Sequence, residues 1–151
     1  MSQIPMKLLW EREAFGLVEF QKLALEIARE FKDRTVVALK GPMGAGKTEF
    51  VKTLAQASGV SDAASPTFAI HHRYHSSKGP IEHLDLYRME SEEELETTGF
   101  WDFFSEDRGL ILIEWPERMD LAHIPWSWDL FQVEIQKVSD SDRLVRLTKR
   151  D

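Results

Sequence analysis

The run Gly41-Pro42-Met43-Gly44-Ala45-Gly46-Lys47-Thr48 carries the most readily named chemistry in this sequence. Its spacing satisfies G-x-x-x-x-G-K-[S/T]. Glycines in such a loop let successive backbone N–H groups turn inward around phosphate oxygens, with no Cβ in the way. A helix starting near Lys47 would aim the positive end of its dipole at the same anion. Lys47 supplies a point charge for the β- and γ-phosphates, and the Thr48 hydroxyl is the expected Mg2+ ligand.

A phosphate loop also needs acids that hold the cation and orient the attacking water, and these come from the ends of neighbouring strands. Asp85, in Ile81-Glu82-His83-Leu84-Asp85-Leu86-Tyr87-Arg88, shares a strand face with His83 and Tyr87 because side chains alternate. Glu114 closes the most hydrophobic strand of the chain, Leu110-Ile111-Leu112-Ile113. Thr67, in Ser65-Pro66-Thr67-Phe68, lies in a loop where switch-type hydrolases sense the γ-phosphate, although a hydroxyl beside a proline is also an ordinary turn residue. Trp115 follows Glu114 and is placed to cover a nucleotide, to pack in the core or to face a partner.

Other groups point less clearly to chemistry. His71, His72, His75 and His83 fall close together, but no cysteine or acid completes a zinc spacing. Residues 92–96 read as an exposed acidic helix face. A guanine-specific site would use Asn-Lys-x-Asp; Thr148-Lys149-Arg150-Asp151 lacks the asparagine and reads as tail, which leaves adenine as the expected base.

The elements that must position these residues follow from hydrophobic period. Thr35-Val36-Val37-Ala38-Leu39 is a β-branched strand, and residues 49–57 are helix-compatible, so the glycine loop sits between strand and helix as its chemistry demands. Phe20, Leu23, Ala24, Ile27, Ala28 and Phe31 form one helical stripe; Ser58-Gly59-Val60 stops the helix after the loop. Residues 68–74 alternate as a strand, Ser76-Ser77-Lys78-Gly79-Pro80 turns, and residues 81–87 return antiparallel. Ser91-Glu92-Glu93-Glu94 is a capping box opening a short helix that Gly99 ends, with the aromatic run 100–104 beneath it. Residues 110–114 are a central strand buried on both faces, and runs 130–135 and 144–147 form a late hairpin. The sum is an α/β, P-loop NTPase-like single domain over residues 1–151, a mixed β-sheet flanked by helices with the loop after its first strand.

Bulk properties exclude several classes. At 151 residues there is room for one core. A formal charge of -7 and a pI near 5.3 argue against an autonomous DNA or RNA binder, so any RNA would be held by a partner. The absence of cysteine excludes disulfides and thiolate zinc sites, and no apolar run suits a leader or a membrane span, giving an expectation of a cytoplasmic protein.

Taken together, residues 41–48, Ser65-Pro66-Thr67-Phe68, His83-Leu84-Asp85-Leu86-Tyr87-Arg88 and Ile113-Glu114-Trp115-Pro116-Glu117, in this order and spacing, resemble the bacterial TsaE (YjeE) family over nearly the whole chain. That resemblance implies a small ATPase supporting formation of threonylcarbamoyladenosine beside the tRNA anticodon, in complex with TsaB and TsaD. It implies ATP and Mg2+ as cofactors. Gly41, Gly44, Ala45, Gly46, Lys47, Thr48, Glu49 and Trp115 would then surround the nucleotide, Thr48 and Glu114 would bind the metal, and Asp85, Lys47 and the switch-like Thr67 would serve hydrolysis.

Two positions depart from the family pattern. Pro42 stands where an acid is usual and Glu49 where a threonine is common, so affinity and rate are the properties in question. A small-molecule kinase is a second reading, but it needs an arginine-bearing lid, whereas Arg73, Arg88, Arg108 and Arg118 are scattered. A nucleotide-sensing adaptor with incidental hydrolysis is a third.

Overall fold

Two apolar runs, residues 35–39 and 110–113, become strands covered on both faces, and the other elements are laid out to cover them. The computed structural model describes residues 4–60 and 70–151. In chain order these form β1 (Met6–Phe15), α1 (Leu17–Ala28), β2 (Arg34–Lys40), α2 (Lys47–Ala57), β3 (His71–Ser76), β4 (Gly79–Asp85), a single turn α3 (Glu93–Glu96), β5 (Gly109–Glu114), β6 (Asp129–Lys137) and β7 (Asp142–Arg150). Short 3-10 turns span Phe100–Ser105, Pro116–Arg118 and Leu121–His123.

The strands make one sheet in the order β1-β7-β6-β2-β5-β4-β3. Its centre, β6-β2-β5-β4, is parallel. Antiparallel partners extend both sides, β3 on β4 and β7 on β6, and β1 closes on β7. The expected mixed sheet is therefore present, with parallel strands where both faces are buried and hairpins toward the edges.

Alternation along β2 and β5 sorts the core into two layers. Val37, Leu39 and Leu112 meet Phe20, Leu23 and Ile27 of α1 and Phe50, Val51 and Leu54 of α2. Val36, Ile111 and Ile113 face the other way, onto Leu95, Phe100 and Trp128. Burying each such side chain stabilises the fold by about 1.5–3 kcal/mol relative to leaving it in water. The α2 helix ends as its glycine requires: Gly59 takes φ 90°, Val60 N–H donates to Ala55 O at 2.8 Å, and Gly59 N–H donates to Gln56 O at 3.1 Å.

The structure corrects several expectations. The loop follows the second strand of the chain, because β1 precedes it. β1 lacks a clean period of two: it is an edge strand, mostly exposed, with a register shift between Leu8 and Trp10. The α1 stripe stops at Ala28, and Phe31 packs from the following turn against Phe131 with ring centroids 5.4 Å apart. β4 ends at Asp85, so Tyr87 lies beyond the strand. Ser91 makes no side-chain cap; the Glu94 carboxylate accepts from Glu90 N–H at 2.8 Å instead. The C-terminal residues are no tail. Met6 pairs with Arg150, and the buried Arg150 guanidinium donates to the carbonyls of Ile124, Pro125 and Trp128 at 2.8–2.9 Å.

Among the described residues no helix is long and apolar enough to cross a membrane.

Candidate active site

Register places the predicted site residues at one end of the parallel strands. Leu39 of β2 pairs with Glu114 of β5, and Glu114 pairs in turn with Asp85 of β4. One position later β2 ends at Lys40, and the chain turns through Gly41 into α2, which begins at Lys47. Ligands of open α/β sheets sit at these carboxyl ends of strands.

Geometry demands glycine at Gly41 and Gly46, among other loop positions. A Cβ on Gly41 would stand 2.7 Å from the Ile135 carbonyl oxygen, a backbone atom of β6 that cannot swing away. Gly46 adopts φ 115° at the N-cap of α2, and a Cβ there would meet the Phe20 ring at 3.2 Å. The turn is closed by Ala45 N–H donating to Pro42 O at 3.2 Å, so proline supplies the acceptor and its missing donor costs nothing at that bond.

Arg143, at the start of β7, holds the loop from behind. Its Nε–H donates to Ala45 O at 2.7 Å and Nη2 to Gly44 O at 3.3 Å, while Nη1 reaches the Ser139, Asp140 and Asp142 carbonyls at 2.9, 3.3 and 2.9 Å. One guanidinium thus ties two loop carbonyls to the β6–β7 turn. Sequence inspection missed it, because a lone arginine in a late hairpin carries no spacing signal toward a loop about 100 residues earlier.

Lys47 is buried at 6% exposure and does not project freely. Its Nζ donates to Gly41 O at 2.7 Å and lies 3.9 Å from the centroid of the Trp115 ring. Trp115 has φ 58°, the one described non-glycine residue in that left-handed region, and its ring packs on Tyr87 at 4.9 Å. A bulky residue held there stores strain, a frequent property of functional sites. Burial lowers the Lys47 pKa, opposed by the charges of Glu114, Asp85 and Glu117. Asp85 is raised, chiefly by burial and further by Glu114; the Tyr87 N–H bond at 3.0 Å and Lys47 pull the other way. One cation and its surrounding acids therefore make a compact charged knot at the strand tips. Glu117 was not among the predicted residues.

Glu114 is 3% exposed, and its Oε2 lies 2.6 Å from His83 Nε2. Thr48 opens α2 beside Lys47. Glu49 is tethered to α1, its Oε1 accepting from Gln21 Nε2 at 2.9 Å. Thr67 lies outside the described residues. The four histidines separate: His71 bonds Glu82 at 2.7 Å, His72 and His75 are exposed, and His83 is buried on Glu114. Among the described residues no group of three or more His, Asp or Glu could hold a metal by itself. Thr48 and Glu114 offer one hydroxyl and one carboxylate, the hard oxygen donors of a cation that completes its shell with water and phosphate.

A cavity of about 250 Å³ opens beside the loop, lined by Leu17, Phe20, Ala45, Gly46, Glu49, Asp140, Ser141 and Arg143. A second of similar volume lies at the other end of the strands, between the C-terminal ends of α1 and α2, and touches none of the residues above. The first is the one that can extend an anion site toward a larger ligand.

Comparison with known proteins identifies relatives of this chain in sequence and fold. The family model described as threonylcarbamoyl adenosine biosynthesis protein TsaE matches residues 17–145. The tRNA threonylcarbamoyladenosine biosynthesis protein TsaE of Aquifex aeolicus is 36% identical over 132 residues, 85% of this chain and 88% of that protein. Its Bacillus subtilis counterpart is 33% identical over 131 residues, 86% and 79% of the two chains. The crystal structure of Bacillus subtilis YdiB superposes with a TM-score of 0.70 at 24% identity, over all of this chain and 90% of that one, a likeness of fold.

Proposed function

The chain belongs to the TsaE family of threonylcarbamoyl adenosine biosynthesis proteins, and on that premise we propose that it binds ATP with Mg2+ at residues 41–48 and hydrolyses it in support of tRNA modification. One observation carries this reading: the glycine loop, Lys47, Asp85 and Glu114 converge at the carboxyl ends of adjacent parallel strands. A solvated turn with scattered carboxylates would not need a buried lysine among acids.

In this reading the loop and the N-terminus of α2 receive the phosphates. Lys47 exchanges the Gly41 carbonyl and the Trp115 face for phosphate oxygens. Thr48 and Glu114 would hold the magnesium ion, which neutralises charge on the β- and γ-phosphates when bound. Asp85 orients the attacking water, and the Tyr87 N–H fixes one of its oxygens. The cavity bounded by Leu17, Phe20, Glu49 and Arg143 takes the base and ribose. The protein works as a component of an assembly with TsaB and TsaD, in the cytoplasm, with tRNA contacted through those partners and hydrolysis resetting the assembly between rounds. Its net charge of -7 supports that division of labour.

Two measurements test the proposal. Calorimetry should show magnesium-dependent ATP binding that Lys47→Ala removes. Cells carrying Lys47→Ala or Asp85→Ala should lose threonylcarbamoyladenosine from their tRNA while the variant proteins keep wild-type circular dichroism. Normal levels of the modified nucleoside in such cells would refute the hydrolytic role.

A further inference from the structure

Resting on that reading of the site, we infer that His83 is a positioning residue that fixes the Glu114 carboxylate for the metal. His83 is 0% exposed, sits inside β4, and places its Nε2 2.6 Å from Glu114 Oε2. A carboxylate only accepts, so Nε2 carries the hydrogen. The other ring nitrogen, Nδ1, lies 3.5 Å from the Tyr74 hydroxyl, which is able to donate to it.

Packing alone does not call for a histidine here. The neighbouring core positions Ile81, Leu84 and Leu112 are aliphatic, and a buried polar pair rarely outperforms well-packed apolar residues in stability. What a leucine would fail to do is hold a glutamate side chain in one orientation. Alternation puts Ile81, His83 and Asp85 on one face of β4, and Leu112 and Glu114 on the same face of β5. Ile81 and Leu112 both belong to the layer beneath α1 and α2. His83 therefore grips Glu114 from the interior side, Asp85 stands at the tip, and both lie on the face from which α2 presents Thr48. Residues that bond a metal-binding carboxylate from outside its coordination shell typically change metal affinity about 10–100-fold when removed.

The same hairpin supplies its own control. His71 Nε2 lies 2.7 Å from Glu82 Oε1, and Glu82 is also 2% exposed and bonded to Arg73 at 2.8 Å. That pair has similar geometry, but Glu82, adjacent to His83, faces away from α2.

The test is the Mg2+ concentration giving half-saturation of ATP binding, read by calorimetry, alongside ATP affinity in EDTA. In His83→Phe the magnesium requirement should rise by about tenfold or more, while affinity in EDTA stays within about twofold of wild type. His83→Gln, whose amide N–H can reach the same oxygen, should recover most of the loss, and His71→Phe should leave both values unchanged. A folded His83→Phe with an unchanged magnesium requirement overturns the assignment, as does an equal loss in His71→Phe, which would signal general softening of the hairpin. If His83→Phe does not fold, His83→Asn, with an amide too short to bridge the gap, is compared with His83→Gln on the same terms. Wild-type protein that binds ATP without any magnesium dependence would overturn the reading of the site itself, and is distinguishable because every variant would then be flat.

Discussion

Replacing Arg143 with alanine separates the loop from its support without touching the loop's own sequence. Five hydrogen bonds from one guanidinium would be lost. Three of them go to the β6–β7 turn and one to Gly44 at 3.3 Å, where water can substitute; the bond to Ala45 O is short at 2.7 Å and partly buried. Assigning that bond about 1.5 kcal/mol as a charged donor, and the four others about 0.5 kcal/mol together, gives a destabilisation of about 2 kcal/mol. For a domain of this size that lowers Tm by about 4–8 °C. A loop whose carbonyls are no longer held must be ordered by its ligand, so MgATP affinity should fall by roughly tenfold, equivalent to 1.4 kcal/mol. Differential scanning calorimetry reads the first quantity and titration calorimetry the second. Arg143→Lys keeps a positive charge beside the cavity but replaces a five-donor fork by one ammonium, so its affinity should resemble that of alanine more than that of arginine. Wild-type affinity in Arg143→Ala would refute the idea that this side chain organises the loop; recovery by lysine would mean that charge near the ligand, not the tie to Gly44 and Ala45, is what matters.

Three further outcomes are expected. Gly41→Ala forces a Cβ to 2.7 Å from the Ile135 carbonyl and should cost about 1–3 kcal/mol of stability, measured by urea denaturation. Trp115 should report ligand binding: ATP draws Lys47 off the indole, so the fluorescence difference between wild type and Trp115→Phe should change on adding MgATP, and a Lys47→Met protein should give no such change. Asp85→Asn should raise Tm at neutral pH. The Asp85 pKa is raised in the folded protein by burial, so the folded state holds this proton more tightly and the ionised group opposes folding above its folded pKa. The gain should shrink as pH falls through that pKa and vanish below the unfolded value near 3.8, a pH series of melting curves being the check.

How much of this was legible in the sequence varies with the range of the interaction. The strand-loop-helix around Gly41 is local, and so was legible; so was β5, an unbroken apolar run that only a doubly covered strand tolerates. The convergence of Asp85 and Glu114 could be guessed from strand-end carboxylates, but their pairing depends on which strands neighbour each other, a property of the whole sheet. β1 was missed because an exposed edge strand has no need of a buried face and hence no alternation. Arg150 was misread for a related reason: its burial follows from three carbonyls supplied by residues 124–128, and arginine at a chain end otherwise signals solvent. The parking of Lys47 on Trp115 depends on a left-handed backbone at a tryptophan, which no local preference would suggest.

Pairing of β1 with β7 has a bearing on how the molecule comes into being. During synthesis the strand that pairs with β1 is made about 130 residues after it, a wait on the order of 10 s at common ribosomal speeds. Throughout that interval β1 has no strand on either side, and the glycine loop still lacks Arg143. Nascent chains released before β7 would be aggregation-prone, with a glycine loop not yet tied by Arg143.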